Sequence, residues 1–280
     1  MTKKLQPKQV GTITCYSEQV ASDYADYPDT GFDLTDEYAA TSFWVSSRNR
    51  LFSWLVHRER DRLGRAKLLD VGCGTGDFAQ HLKADATLSI TGSEIYLKGL
   101  QFAQKRQPDV EFIQFDVTEG ILDRSYDIIT AFDVFEHIED DVVGMHNVHE
   151  MLTEDGVFIL SVPQHMFLWS QLDEIVFHKR RYSRSEMAEK LRQSGFTPVR
   201  LTSHVFTLFP LMCLSRLLDR AKPSPAAVNE TEALSDRVTF SGGVNWIFNK
   251  IMYLDEFLIR LGLSLPFGGT LVVVARKNAP

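Results

Sequence analysis

Cysteine is scarce in this chain of 280 residues. Cys15, Cys73 and Cys213 lie far apart and are odd in number, so no disulfide framework and no CxxC metal site can be read. Long apolar runs are also missing. The stretches without a formal charge, Gly156 to Leu172 and Leu201 to Ser215, are short for a spanning helix, and each holds a proline and a histidine. An excess of basic charge is absent: 30 Lys and Arg stand against 37 Asp and Glu, a net charge of −7. Bulk charge therefore argues against a backbone-driven nucleic-acid binder. The polar start MTKKLQPKQVGTITC has no apolar segment of the signal-peptide kind. A reducing, cytoplasmic location is the resulting expectation. With 44% hydrophobic and 24% charged residues, the chain reads as globular, and disorder or a collagen-like repeat is excluded.

Apolar runs alternate with helical segments from about residue 66 onward. LLDVG (68–72), LSITG (88–92), VEFIQF (110–115), YDIITAF (126–132), GVFILSVP (156–163), TPVRLTS (197–203) and LVVVARK (271–277) read as seven strands. Helical patterns between them predict an α/β fold: a doubly wound, mostly parallel sheet with helices on both faces. Residues 1–45 read as irregular or weakly helical, with Tyr16, Tyr24, Tyr27, Tyr38, Phe43 and Trp44 among acids and turn residues. An Arg-rich helix follows over 46–63. The expected organisation is an N-terminal cap segment (1–63), a core (64–203 plus 271–280) and a helical insertion (204–270). Within that insertion, 221–236 reads as a polar linker. Its second half puts Ile247, Ile251, Leu254, Leu258 and Leu261 on one helical face, which reads as core packing, or else as a lid or a shallow membrane contact.

The most specific feature is LLDVGCGTGDF, residues 68–78, where an apolar strand enters a glycine-rich turn and then a helix. Glycine permits positive φ and close approach of backbone to a ligand. A dinucleotide site wants G-x-G-x-x-G; here the position of the third glycine is Asp77. An acid beside a pyrophosphate is unfavourable, whereas Asp70 and Asp77 suit a ligand with a positive end. Residues 68–78 resemble motif I of the class I S-adenosylmethionine-dependent methyltransferases. The resemblance extends over about 66–203 and 271–276, and implies a Rossmann-like sheet of seven strands whose last is antiparallel and lies beside the fifth. It implies S-adenosylmethionine as cofactor, with Asp70, Gly72, Cys73, Gly74, Gly76 and Asp77 around it. Glu94 and Ile95 then fall at the ribose, Asp116 and Val117 at the adenine, and Phe132 and Asp133 at the methionine moiety. Each acid alone reads more readily as a helix cap or a solvated loop residue; four landmarks in the right order and spacing reverse that and point to a cofactor. Arg48 or Arg50 matches the upstream arginine that meets the cofactor carboxylate in that family.

Asp133-Val134-Phe135-Glu136-His137 resembles the E-x-x-E-H pattern of ubiquinone-pathway O-methyltransferases, where these positions hold a divalent metal. Aspartate in the first position shortens the reach, so the expectation is no metal, with Asp133, Glu136 and His137 as the ligands if one binds. Past the fifth strand, VPQHMFLWSQLDEIVFHKRRYSRSEM (162–187) resembles a subset of small-molecule and lipid methyltransferases. His137, His165 and His178 are the candidate general bases, because imidazole titrates near neutral pH. Arg180, Arg181 and Arg184 are candidates for an anionic substrate group. The expected function is methyl transfer to a small-molecule or lipid-like acceptor, O-methylation with histidine-assisted deprotonation foremost. N-methylation of a small amine, a nicotinamide-dependent oxidoreductase and a non-catalytic scaffold stay as alternatives. Nucleic acid is not an expected partner; no transmembrane segment is expected, peripheral membrane contact stays open, and the sequence leaves the oligomeric state open.

Overall fold

LLDV, IITA, FILSV and LVVVA are apolar at nearly every position, so both faces of the sheet they form must be covered. A computed structural model describes residues 2–18, 20, 32, 42–220 and 240–278, and shows how this is done. The strands are β1 (Lys8–Val10), β2 (Ile13–Cys15), β3 (Ala66–Val71), β4 (Leu88–Glu94), β5 (Glu111–Gln114), β6 (Tyr126–Phe132), β7 (Leu152–Pro163), β8 (Phe196–His204) and β9 (Thr270–Lys277). The helices are α1 (Phe43–Leu63), α2 (Asp77–Leu82), α3 (Leu97–Arg106), α4 (Asp141–Met151), α5 (Gln171–Ile175), α6 (Arg184–Gln193), α7 (Phe209–Arg220) and α8 (Gly242–Arg260).

The strands form one sheet in the order β1-β2-β5-β4-β3-β6-β7-β9-β8. Strands β5, β4, β3, β6 and β7 run parallel, and β9 is antiparallel to both β7 and β8. The seven strands read from the sequence are all present, with the last beside the fifth. The sheet itself has nine strands, because residues 8–15 form a hairpin whose second strand joins β5 in parallel. This corrects the reading of 1–45 as irregular or weakly helical. Tyr24, Tyr27, Tyr38 and the linker 221–236 lie outside the described residues.

Side-chain alternation along each strand divides the core in two. Leu69, Ile129 and Phe158 face the cluster that includes Met145 of α4 and Leu191 of α6. Leu68, Ile128 and Val157 face the cluster built with Leu51, Phe52, Leu55 and Val56 of α1. The cap segment and the insertion meet each other. Arg50 Nε of α1 lies 3.0 Å from Glu256 of α8, and the Phe43 amide donates to Asn245 at 2.7 Å. The apolar stripe of α8 is corrected in part: Ile251 and Leu258 pack against the core, but Ile247, Leu254 and Leu261 face solvent, and Met252, Asp255, Glu256 and Ile259 form the buried face.

Candidate active site

Parallel strands end at one edge of the sheet, and loops there can converge on a ligand. After β3 the chain turns through Gly72, Gly74 and Gly76 at φ of +71°, +53° and +75°. A β-carbon on Gly72 would stand 2.4 Å from a Val134 methyl, so the loop lies directly on the turn that follows β6. A β-carbon on Gly74 would meet no described residue within 4 Å, which leaves space over that residue.

Carboxylates surround this loop. Burial pushes the Asp70 carboxyl up to about 7, against a 2.7 Å hydrogen bond from Thr130. Glu94 is buried and accepts from the amides of Gly74 (3.1 Å), Ile95 (2.7 Å) and Tyr96 (3.2 Å). Its pKa is still raised, chiefly by desolvation. The Cys73 thiol is buried between these acids and held neutral by desolvation, then by Asp70 and Glu94. Asp77 is taken up by Asn49 (2.6 Å) and Arg106 (3.6 Å). The Asp116 carboxylate caps its own turn by accepting from the Thr118 amide, and the Asp116 backbone amide donates to the Ser17 hydroxyl at 2.9 Å. Ser17 thus comes to this corner from the N-terminal hairpin, a neighbour with no motif to reveal it. Val117 is buried beside it, its carbonyl accepting from Asn147.

Phe132 stacks on Phe52 at 3.9 Å and meets Phe78 edge-on. Asp133 adopts φ +56° and places one carboxylate oxygen 2.9 Å from the Ser161 hydroxyl and the other 2.6 Å from Arg48 Nη2. Arg48 lies 4.0 Å over the Trp44 ring. Arg50 points elsewhere, to Glu256, Asn249 and the Tyr253 ring. The two arginines offered by the sequence are therefore separated: Arg48 reaches the loop edge and Arg50 ties the cap to the insertion.

His137 and His178 come together, with ring centroids 4.9 Å apart. Burial, then the charge of His178, holds His137 down at about 4. His178 Nδ1 lies 2.9 Å from Asp173 Oδ1, and its Nε2 lies 3.8 Å from Glu136. Asp173 is fully buried, and Arg181 grips it through Nε at 2.7 Å and Nη2 at 3.0 Å. Desolvation opposes the Asp173 charge, but the hydrogen bonds from His178 and Arg181 hold its carboxyl well below the usual range. Glu136 is the reverse. Neither oxygen has a hydrogen-bond partner, and burial, then the nearby Asp133, raises its pKa well above the ordinary value. His165 stands apart, packed against Phe167 and Phe209, with its pKa lowered by burial and then by Arg181.

Glu136, His137 and His178 each offer a ligand atom within 4.8 Å of the others, a donor set that suits a borderline divalent cation. Asp133 does not belong to it, because Arg48 and Ser161 occupy its carboxylate. The sequence-based set Asp133, Glu136 and His137 is corrected accordingly. The arginines offered for an anionic substrate are also corrected. Arg180 meets Asp141, Arg181 meets Asp173, and Arg184 donates to the Leu265 and Leu201 carbonyls.

Two neighbours escaped the sequence reading. Gln164 and His204 are fully buried, and among the described residues neither their side-chain nitrogens nor the Gln164 oxygen has a hydrogen-bond partner. Burial, then Arg48 and Arg50, takes His204 down to about 3. Backbone strain marks the same region. Among the described residues, the non-glycine residues at positive φ are Asp133, His165, Phe177 and Val205, and all flank the residues just described.

A family model described as a methyltransferase domain matches residues 39–201. A protein of Mycolicibacterium smegmatis named as a probable S-adenosylmethionine-dependent methyltransferase is 27% identical over 60% of this chain and 65% of its own length. The ubiquinone biosynthesis O-methyltransferase of Salmonella paratyphi A is 30% identical over 39% of this chain and 46% of its own length. The demethylmenaquinone methyltransferase of Thermotoga maritima is 36% identical over 34% and 42%. The chain thus spans less than two thirds of each of these relatives. Phosphoethanolamine N-methyltransferase 2 of Haemonchus contortus, solved with S-adenosyl-L-methionine, shares the fold at a TM-score of 0.58 and 16% identity, over 95% of this chain and 62% of its own. An S-adenosylmethionine-dependent methyltransferase from Clostridium acetobutylicum does so at a TM-score of 0.54 and 11% identity, over 88% and 98%.

Proposed function

The chain belongs to the class I S-adenosylmethionine-dependent methyltransferases, and from that premise we propose that it methylates an oxygen of a small-molecule or lipid-like acceptor, with His178 as general base. Bound S-adenosylmethionine supplies an electrophilic methyl group on a sulfonium. The loop fits such a group. Among the described residues, the space over Gly74 is open, Asp70 is a buried acid with no cation beside it, and Glu94 presents its carboxylate at the loop. In this reading Glu94 and Ile95 serve the ribose, Asp116 and Val117 the adenine, and Arg48 the carboxylate. Gly72, Cys73, Gly76, Asp77, Phe132 and Asp133 shape the walls.

The observation that carries the base assignment is the 2.9 Å contact between His178 Nδ1 and Asp173. With Nδ1–H donated to Asp173, the lone pair of the imidazole is on Nε2. That atom faces the Glu136–His137 side, next to the turn on which the glycine loop rests. The 3.8 Å separation from Glu136 is too long for a hydrogen bond, which leaves Nε2 to take the proton of an acceptor hydroxyl. The buried Glu136, kept neutral by desolvation, forms the wall behind it. Holding acceptor and donor in line can supply roughly 7–11 kcal/mol of the barrier. His137 stays neutral and shapes the site.

The experiment is transfer of labelled methyl from S-adenosylmethionine to a panel of phenols, amines and lipid-like acids. Methylated phenols or hydroxylated lipids support the reading; turnover of amines alone overturns it in favour of N-methylation.

A further inference from the structure

Helix α8 carries an apolar stripe that the core does not use. Trp246, Ile247, Tyr253, Leu254, Phe257 and Leu261 recur at helical spacing, with Lys250 among them, and their exposure runs from 46% at Tyr253 to 63% at Trp246 and Leu261. The helix cannot turn this face inward. Met252 and Ile259 are buried on the opposite side, Asp255 accepts from the amides of Phe206 (2.6 Å) and Thr207 (3.0 Å), and Glu256 holds Arg50. Leu211, Leu214, Leu217 and Leu218 form a like stripe on α7. Leu208, Met212, Phe248 and Met252 share one small cluster, so the two helices lie on the same part of the molecule.

We propose that this surface docks the protein on a lipid bilayer with anionic headgroups. The charge argues for that occupant. On α8 the two acids are buried and bonded, and the exposed charges are Lys250 and Arg260. In a chain of net charge −7, α8 thus keeps both of its acids off its exposed side. Lys250 Nζ lies 5.8 Å from the Trp246 ring centroid and 5.5 Å from that of Tyr253. Amphipathic rings beside a lysine with a long apolar stem suit the headgroup level, where ring bodies sit in the acyl boundary and polar ends stay wet. A second copy docked by two-fold symmetry would bring these cations towards their own equivalents. The surface also continues to the acceptor side of the site. Phe209 at the start of α7 packs on Phe267 (5.2 Å) and on His165 (5.6 Å). An apolar acceptor dissolved in the bilayer would therefore meet the site edge without crossing water.

The test is flotation of the full chain with phosphatidylcholine vesicles, with and without phosphatidylglycerol. Binding several-fold stronger to the anionic vesicles, and weakened by salt, is expected. The double variant Leu254→Glu, Phe257→Glu should bind about tenfold less or weaker still, with its melting temperature and its affinity for S-adenosylhomocysteine kept. No flotation with either vesicle, equal flotation with both, or flotation unchanged in the variant would overturn the proposal. So would a dimer in light scattering that the same substitutions dissolve. Donor affinity is read separately by calorimetry, so failure of the docking and failure of the methyl-transfer reading are distinct outcomes.

Discussion

Arg48 Nη2 and Asp133 Oδ2 stand 2.6 Å apart, so the first long helix is pinned to the turn after β6 at the edge of the glycine loop. Its neighbour Arg50, two positions on, is committed to Glu256 instead. If Arg48 meets the donor's carboxylate, Arg48→Met should weaken S-adenosylhomocysteine binding by about 1.5–3 kcal/mol, the range for a charged hydrogen bond. Arg50→Met should lower the melting temperature and leave that dissociation constant in place. Calorimetric titration and thermal denaturation of both variants check the pair of outcomes, and a reversed pattern would assign the two roles the other way round.

Glu94 accepts from three amides, one of them Gly74, so it organises the loop as well as facing a ligand. Glu94→Ala should cost about 1–3 kcal/mol in donor affinity. Gly74→Val should abolish binding without unfolding the chain, because the branched side chain enters the open space and must also tolerate φ +53°. Circular dichroism reports the fold and titration of S-adenosylhomocysteine the site; normal titration of the Gly74 variant contradicts the assignment.

The seven strands from β3 onward were legible chiefly because LLDV, IITA and LVVVA are apolar at nearly every position, a pattern that needs a sheet covered on both faces. The loop was legible because Gly72, Gly74 and Gly76 alternate directly after such a strand. The hairpin of β1 and β2 was not. Its strands are three residues each, and β2 enters the sheet through Thr14 and Cys15 opposite Ile113 and Gln114, a long-range pairing with no local signal. The orientation of α8 was not legible either, because the helix is apolar on two sides. The partners of Asp255 and Glu256, Thr207 and Arg50, decide which side is buried, and both lie far away in sequence. Gln164 and His204 belong to no motif, and only the fold shows each of them buried without a side-chain hydrogen-bond partner among the described residues.

Asp70 should make donor binding depend on pH. Burial raises its pKa to about 7, so without donor the folded protein keeps a proton that the unfolded chain loses near pH 4. This group's contribution to stability is therefore full below about pH 4 and is lost as pH rises towards about 7. A sulfonium favours the ionised carboxylate. Affinity for S-adenosylmethionine should then fall as pH drops below about 7, by up to about tenfold per pH unit, with proton release on binding. Calorimetry in buffers of different ionisation enthalpy measures that release, and Asp70→Asn should remove it. A pH-independent affinity in the unaltered protein would show that Asp70 does not face the cation.

Histidine chemistry is best separated from packing at His178, because its ring is partly exposed and its partner Asp173 is held independently by Arg181. His178→Gln keeps a polar side chain of similar length and removes the basic nitrogen. For a hydroxyl acceptor, kcat should fall on the order of 10²–10⁴-fold, with the donor dissociation constant unchanged. Asp173→Asn is a poorer probe, since it also strands the buried Arg181 guanidinium, and breaking such a pair costs about 3–5 kcal/mol. It should lower the melting temperature as well as kcat. His165→Gln should leave the chemical step intact and raise KM for apolar acceptors, because that ring belongs to the Phe167–Phe209 edge. Steady-state kinetics of the three variants with a phenolic acceptor distinguish the roles: a kcat loss at His165 with none at His178 would move the base to the other side of the site.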